Sequence, residues 1–293
     1  MSAMLDNTRY DYSAIIKRKP LRWPNNARIA LWVIPNIEHF KIDRPSTSAN
    51  PAMASFVPDV FNYAWRDYGV RVGIWRMMEV MDKHGVPGTV ALNAEVCQRY
   101  PIIIEEAKKR NWAFMGHGMT NSQMLAGLAE EDERQLIRQV IRTIGEAVGQ
   151  PPLGWLGPAL AETFNTPDIL AEEGIRYVCD WCADDQPFPM KVRSGSLISV
   201  PYSVDLNDIP AFLSRGASPE EFYRMCADQF DVLYEEGARS GRVMAIALHP
   251  FLIGLPFRIK ALEMTLAYIT GHKDVWVTTG DEIARWYLEH YLD

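Results

Sequence analysis

Residues 27–38 read ARIALWVIPNIE. No residue between Arg28 and Glu38 is charged, and Ile, Val and Trp dominate the run. Such a run suits a parallel strand buried on both faces better than a half-wet strand, which would alternate apolar and polar residues. Polar groups come only at its end, where Asn36, Glu38 and His39 follow one another closely.

The pattern repeats down the chain. VGIWRMMEVMDKHG (72–85) carries apolar residues at three- and four-residue spacing and stops at Gly85, as an amphipathic helix does. GTVALN (88–93) reads as a strand, and IIIEEAKKR (102–110) as a helix with acids early and bases late. Strands follow at WAFMGHG (112–118), LGWLGP (153–158), IRYVCDW (175–181), SLISVPYS (196–203), RVMAIALHP (242–250) and VWVTTG (275–280). Helices are expected over 128–149, 166–174, 218–237, 258–272 and 281–292. Thr166 and Ser218 are the expected N-caps, each followed by a proline at the first helical position.

About eight strand–helix alternations in 293 residues match the size of a β/α barrel. A doubly wound open sheet is the alternative, but no G-x-G-x-x-G follows the first strand, which counts against its dinucleotide-binding form. Residues 1–24 read as an arm, and residues 25–293 as one β/α-barrel catalytic domain. Residues 41–62, rich in Pro, Ser and Ala, read as a long loop over the active-site face.

Composition narrows the function. Hydrophobic residues make up 48% and charged residues 23%, as in ordinary globular proteins. A net charge of -7 argues against a general nucleic-acid binder. No long apolar span suggests a membrane helix, and no apolar leader suggests export, so a cytoplasmic protein is expected. Cys179 and Cys182 form C-x-x-C without a second pair; inside an apolar run they read as buried, reduced thiols.

In a β/α barrel the chemistry gathers where strands end. Three of the six histidines, His39, His117 and His249, fall at such ends; His84, His272 and His290 fall at helix ends, where a cation suits the dipole. Other strand ends bring Asn93, Glu162, Asp180, the pair Asp184–Asp185, Tyr202 and Asp281. Each has a plain alternative: a scaffold histidine, a loop cap, a solvated turn. Convergence of carboxylates and imidazoles in one cavity would make them an active site. With no phosphate cradle, G-x-S-x-G or H-E-x-x-H in the sequence, such a set suits water attack on a carbonyl. A metal on Glu38 and His117 would serve the same attack.

These residues carry a resemblance. WVIPNIE, YGVRVGIWRMMEVMDKHGVPGTVALNA, GHGMTNS, GWLGPALAETFNTPDILAEEGIRYVCDW, ADDQPF, LHPFLIGLPFRI and VWVTTGDEIARWY occur in this order. The chain resembles the polysaccharide deacetylase (NodB-homology) superfamily, in particular the branch of deacetylase-type allantoinases and cyclic imide hydrolases. The resemblance implies a distorted (β/α) barrel, a homo-oligomer and a small cyclic amide or imide as substrate. It implies that Glu38, His117 and His249 are catalytic, with His249 aiding proton transfer to the leaving nitrogen. Asn36 stands where sugar deacetylases carry a basic aspartate, and Asn121 where they carry a second ligand histidine. Both depart from that pattern, since an amide is no base and a poor zinc ligand. Asn36, Asn121, Trp155, Trp181, Asp184 and Asp185 are the expected substrate-binding residues; core packing is the alternative for the tryptophans. The implied cofactor is one divalent metal, zinc first, on Glu38 and His117 with Asn121, His249 or water as third ligand, or none. A metal-dependent sugar N-deacetylase and a non-catalytic barrel that binds a ring ligand are the competing functions.

Overall fold

A computed structural model describes residues 7–44 and 55–292. Strand β1 (Ile29–Ile37) is buried along its whole length. It lies parallel to β8 (Arg242–Leu248), in register from Ile29 opposite Arg242 to Pro35 opposite Leu248. On its other edge β9 (Val275–Val277) pairs with its first residues and β2 (Thr89–Leu92) with its last. The sheet continues in parallel through β3 (Ala113–Gly116), β4 (Gly154–Trp155), β5 (Tyr177–Val178) and β7 (Leu197–Ser199). At the far edge β6 (Phe188–Met190) pairs antiparallel with β7.

Irregular chain closes the remaining side. Val243 N donates to Asp185 O at 2.8 Å, and Ala247 N donates to Leu206 O at 3.0 Å. The fold is therefore the distorted (β/α) barrel the sequence implies: short strands on one side, and loop segments where a last ladder would run.

Strand alternation decides which side chains face the axis. Ala30, Trp32 and Ile34 pack inward with Met115, Ala245 and Ala247. Ile29, Leu31 and Val33 pack outward with helix residues such as Met77, Ile137 and Leu262. The same parity carries Asn36 and Glu38 inward from β1, His117 from β3 and His249 from β8. The site is thus a consequence of the two-residue period.

The outer helices follow the sequence reading closely: α2 (Ile74–Lys83), α4 (Pro101–Lys109), α5 (Glu130–Val148), α7 (Pro219–Gly237), α8 (Ile259–Thr270) and α9 (Gly280–His290). Ser218 caps α7 in a reciprocal capping box with Glu221. Two short helices, α3 (Ala94–Arg99) and α6 (Thr166–Glu172), fill the loops after β2 and β4.

Several expectations change. Helix α1 (Val60–Tyr68) begins inside the stretch read as loop, capped by Asp59, whose carboxylate accepts from Asn62 N; residues 45–54 of that stretch, like residues 1–6 of the arm, lie outside the described residues. Strand β6 was hidden by its Pro189, which suits only an edge strand or a bulge. At α6 the N-cap is Asn165, and Thr166 already belongs to the helix, because its hydroxyl is taken by the Glu133 carboxylate. Of the C-x-x-C pair, Cys179 is buried but Cys182 is exposed; both are free thiols.

A five-residue π turn (Gly69–Gly73) joins α1 to α2. Both of its glycines are required by close approach. A Cβ on Gly69 would lie 2.7 Å from Phe251 N, and one on Gly73 would lie 2.0 Å from Pro250 O. The turn thereby seats the segment that follows His249.

The arm crosses the opposite mouth of the barrel. Trp23 is buried there and donates from Nε1 to Arg242 O at 3.0 Å. Arg18 Nη1 donates to Asp184 Oδ1 at 2.8 Å, and Arg9 Nη1 to Lys191 O at 3.1 Å.

Candidate active site

Three strand ends meet on one carboxylate oxygen. His117 Nε2 lies 3.3 Å from Glu38 Oε1, and His249 Nε2 lies 3.6 Å from the same oxygen. Asn121 Nδ2 donates to it as well. All three of Glu38, His117 and His249 are buried, with side chains at most 7% exposed.

Each imidazole is held from behind. His117 Nδ1 meets Leu156 O at 2.7 Å. A carbonyl only accepts, so Nδ1 carries a hydrogen and Nε2 is the working nitrogen. His249 Nδ1 donates to Asp208 Oδ1 at 2.7 Å, while Asp208 Oδ2 accepts from the backbone N–H groups of His249 at 2.9 Å and Ile253 at 3.3 Å. Asp208 is completely buried and fixes the ring's tautomer and plane.

The charges follow from these contacts. Burial alone would raise the Glu38 carboxyl, but the charge of His249 and the close contacts with both imidazoles outweigh it and hold Glu38 far below the usual carboxylate range. Burial alone would lower His249, but Asp208 and Glu38 raise it to about 9. At neutral pH the site therefore holds a carboxylate beside an imidazolium.

The asparagines are oriented by an unbroken chain of donors. Asn93 Oδ1 accepts from His39 N at 2.8 Å and Asn121 N at 3.1 Å, so Nδ2 of Asn93 must donate. It donates to His117 O and, at 2.9 Å, to Asn121 Oδ1. The Asn121 oxygen is thus occupied, and its amide nitrogen faces Glu38. Asn36 Nδ2 donates to Ile34 O and Leu248 O, both at 3.2 Å, and Asn36 Oδ1 accepts from Tyr202 Oη at 3.4 Å. Asn36 is a buried brace between β1 and β8.

This donor set bears on the expected metal site, Glu38 and His117 with Asn121, His249 or water as third ligand. Asn121 presents N–H groups, which bind no cation, and His249 is an imidazolium. Among the described residues no group of three His, Cys, Asp or Glu side chains is placed to hold a metal ion. Glu38 and His117 alone are short of the three protein ligands usual in a catalytic zinc site.

Not every residue nominated from the sequence joins the cluster. Trp155 is fully buried in the outer layer, its ring filling the space a Cβ on Gly116 would need. Trp181 packs edge-on to Tyr10 of the arm, ring centroids 5.8 Å apart, and donates from Nε1 to Glu162 at 3.1 Å. Asp184 pairs with Arg18. Asp185 O is bonded to Val243 N, and about 20 Å of extended strand separates Val243 from His249. The acid pair therefore belongs to the opposite mouth of the barrel. Of the other histidines, His39 is buried against Tyr63 and Tyr100 and is pushed down to about 4, first by burial.

Two residues join the site that the sequence did not single out. Asp208 is one. Arg66, on α1, is the other: its guanidinium lies 4.1 Å from the Phe40 ring centroid and 5.6 Å from that of Phe251. It lines, with Glu38, the two small clefts beside the carboxylate, each of about 10 Å³. Glu38 opposes the burial that lowers the Arg66 guanidinium.

A buried carboxylate shared by two imidazoles, one backed by an aspartate, on a distorted barrel defines a hydrolase built for attack by water. Comparison with known proteins agrees. The polysaccharide deacetylase family matches residues 63–178. A crystal structure described as a probable polysaccharide deacetylase from Pseudomonas aeruginosa PAO1 is 30% identical, with a TM-score of 0.86 over 94% of this chain and 95% of that one. The crystal structure of PuuE allantoinase is 28% identical, with a TM-score of 0.85 over 96% of this chain and 99% of that one. A putative polysaccharide deacetylase of Schizosaccharomyces pombe is 27% identical over 92% of this chain and 93% of its own length. The chain belongs to the polysaccharide deacetylase family, whose likenesses here include an allantoinase as well as proteins named for sugar chemistry.

Proposed function

We propose that this protein opens a cyclic amide or imide by hydrolysis of a ring C–N bond. The observation that carries the proposal is the state of Asn36. Its amide is committed to two backbone carbonyls and Tyr202, and the Asp208 carboxylate is spent on His249, so Glu38 is the carboxylate left for substrate, its charge balanced by its neighbours. Such a site has weak general-base power and strong general-acid power. An imide tolerates weak base assistance, because its second acyl group draws the nitrogen lone pair away and leaves the attacked carbonyl more electrophilic than that of a simple amide.

Water placed at Glu38 and His117 Nε2 gives up a proton to that pair as its oxygen bonds to the ring carbonyl carbon. The ring C–N bond then breaks, and His249 Nε2–H supplies the proton to the leaving nitrogen. The product is the open acid amide, and the proton taken from water restores His249 through Glu38. The Asn121 N–H groups, which face Glu38, and Arg66, which lines the clefts beside it, are the donors for a developing oxyanion.

The clefts beside Glu38 are compact, bounded by Phe40, Arg66, Val70 and Phe251, so a small planar ring demands less rearrangement than a sugar chain. The full-length likeness to PuuE allantoinase supports a ring substrate. The names of the other relatives favour a sugar N-deacetylase instead. Incubation with succinimide tests the proposal: succinamic acid should accumulate with enzyme and time. Acetate release from N-acetylated chitooligosaccharides without imide opening would overturn it, and tight ring binding without product would make the barrel a ligand-binding protein.

A further inference from the structure

Beside β4 and β5 lies a carboxyl pair that the proposed reaction does not use. Asp180, just past β5, accepts from Gly157 N at 2.7 Å through Oδ1. Its other oxygen is buried and approaches so closely that a Cβ on Gly157 would lie 3.0 Å from it. Glu162 stands next to Asp180 and accepts from Trp181 Nε1 at 3.1 Å.

The N–H of Gly157 and the carbonyl of Leu156 belong to one peptide group. Its N–H is held by Asp180, and its oxygen accepts Nδ1–H of His117 at 2.7 Å. Hydrogen bonds at the two ends of a peptide polarise one another. A negative charge on the carboxyl pair makes the Leu156 oxygen a stronger acceptor, and so changes the electron density and the seating of the His117 ring.

We propose that Asp180 and Glu162 are positioning residues for His117, acting on its Nδ1 through the single Leu156–Gly157 peptide. The inference rests on His117 being the working imidazole of the proposed reaction.

Burial raises both carboxyls. Asp180 is pushed well up, with the neighbouring Glu162 adding to the rise. Glu162 is pushed up to about 7 by burial, against the neighbouring Asp180, the hydrogen bond from Trp181 and the attraction of Arg9, with Glu133 of α5 raising it further. The groups facing Glu162 are thus Asp180, Trp181, Arg9 and Glu133. Glu162 also lines a cavity of about 570 Å³ with Arg9, Phe164 and Trp181, so protons reach it from solvent without crossing the Glu38 site. The pair changes charge within the neutral range, one peptide away from the imidazole.

Side-chain NMR of His117, assigned by its loss in His117→Ala, tests this without substrate. The His117 ring signal should show an inflection near pH 7 that Glu162→Gln removes. Trp181→Phe, which deletes one donor to the Glu162 carboxylate, should move that inflection to higher pH and serves if the first variant fails to fold. In the active enzyme Glu162→Gln should change kcat several-fold with KM nearly constant, and Glu162→Asp should restore part of it. An inflection that persists unchanged in Glu162→Gln, or no inflection in the wild type, overturns the proposal. The inflection together with absent imide opening would overturn the proposed function and leave the coupling standing.

Discussion

Glu38 has a buried side chain and Glu162 a half-buried one near the top of the same barrel, and their surroundings drive them in opposite directions. Glu38 meets Asn121, His117 and His249 and is held as an anion. Glu162 meets an indole N–H and another carboxyl, and burial prevails until about pH 7. The cost of taking a carboxylate out of water is common to both. Whether the charge survives depends on the donors and the cation set against it. One centre is thereby fitted to rest as an anion at neutral pH, and the other to change charge near neutrality.

The comparison breaks most easily at His117. His117→Ala removes the imidazole that shares water with Glu38, and turnover should fall by about 10²–10⁴-fold, the range for losing a positioned acid or base. Circular dichroism should show an unchanged fold. A folded variant that keeps most of its imide-opening activity would place the chemistry elsewhere.

Asp208→Asn sharpens the contrast next, because it weakens the partner that keeps His249 charged. His249 is raised from an ordinary 6.5 to about 9, so its pairing contributes stability that is fully present below pH 6.5 and lost as pH rises through 9. A rise of this size corresponds to on the order of 3 kcal/mol. Thermal melts of the wild type should decline between pH 7 and pH 10, and those of Asp208→Asn should decline less. Equal slopes would show that Asp208 does not sustain the imidazolium.

The smallest effect belongs to an acid outside both centres. Asp184→Asn loosens its bond to Arg18 of the arm and should alter kcat less than about twofold, with a stability loss of about 1–3 kcal/mol, as for a part-buried charged hydrogen bond that loses one partner. A hundredfold loss of kcat would return the acid pair to the site.

Much of this was legible in the sequence, for a physical reason. The uncharged run before Glu38 marked a doubly buried parallel strand, and the ends of β1, β3 and β8 carried Glu38, His117 and His249 into one place. Asp208 was not legible: it opens a short helical turn after β7, one of 37 acids, and reaches His249 only because the chain just before it closes the barrel against β8. Arg66 was hidden by a helix that begins where the composition suggested loop. Asp184 and Asp185 follow β5 so closely that they read as strand-end groups, but β5 has only two paired residues and the chain then runs to the opposite mouth. Strand parity is encoded locally; the course of a loop is not.

The most direct test of the account is the pH dependence of kcat/KM for succinimide opening in metal-stripped protein. The account predicts retained activity and a fall as pH rises through about 9, when His249 loses the proton it must deliver, with that limb displaced to lower pH in Asp208→Asn. Activity that vanishes on chelation and returns with zinc, or a rate still level at pH 10, would contradict it.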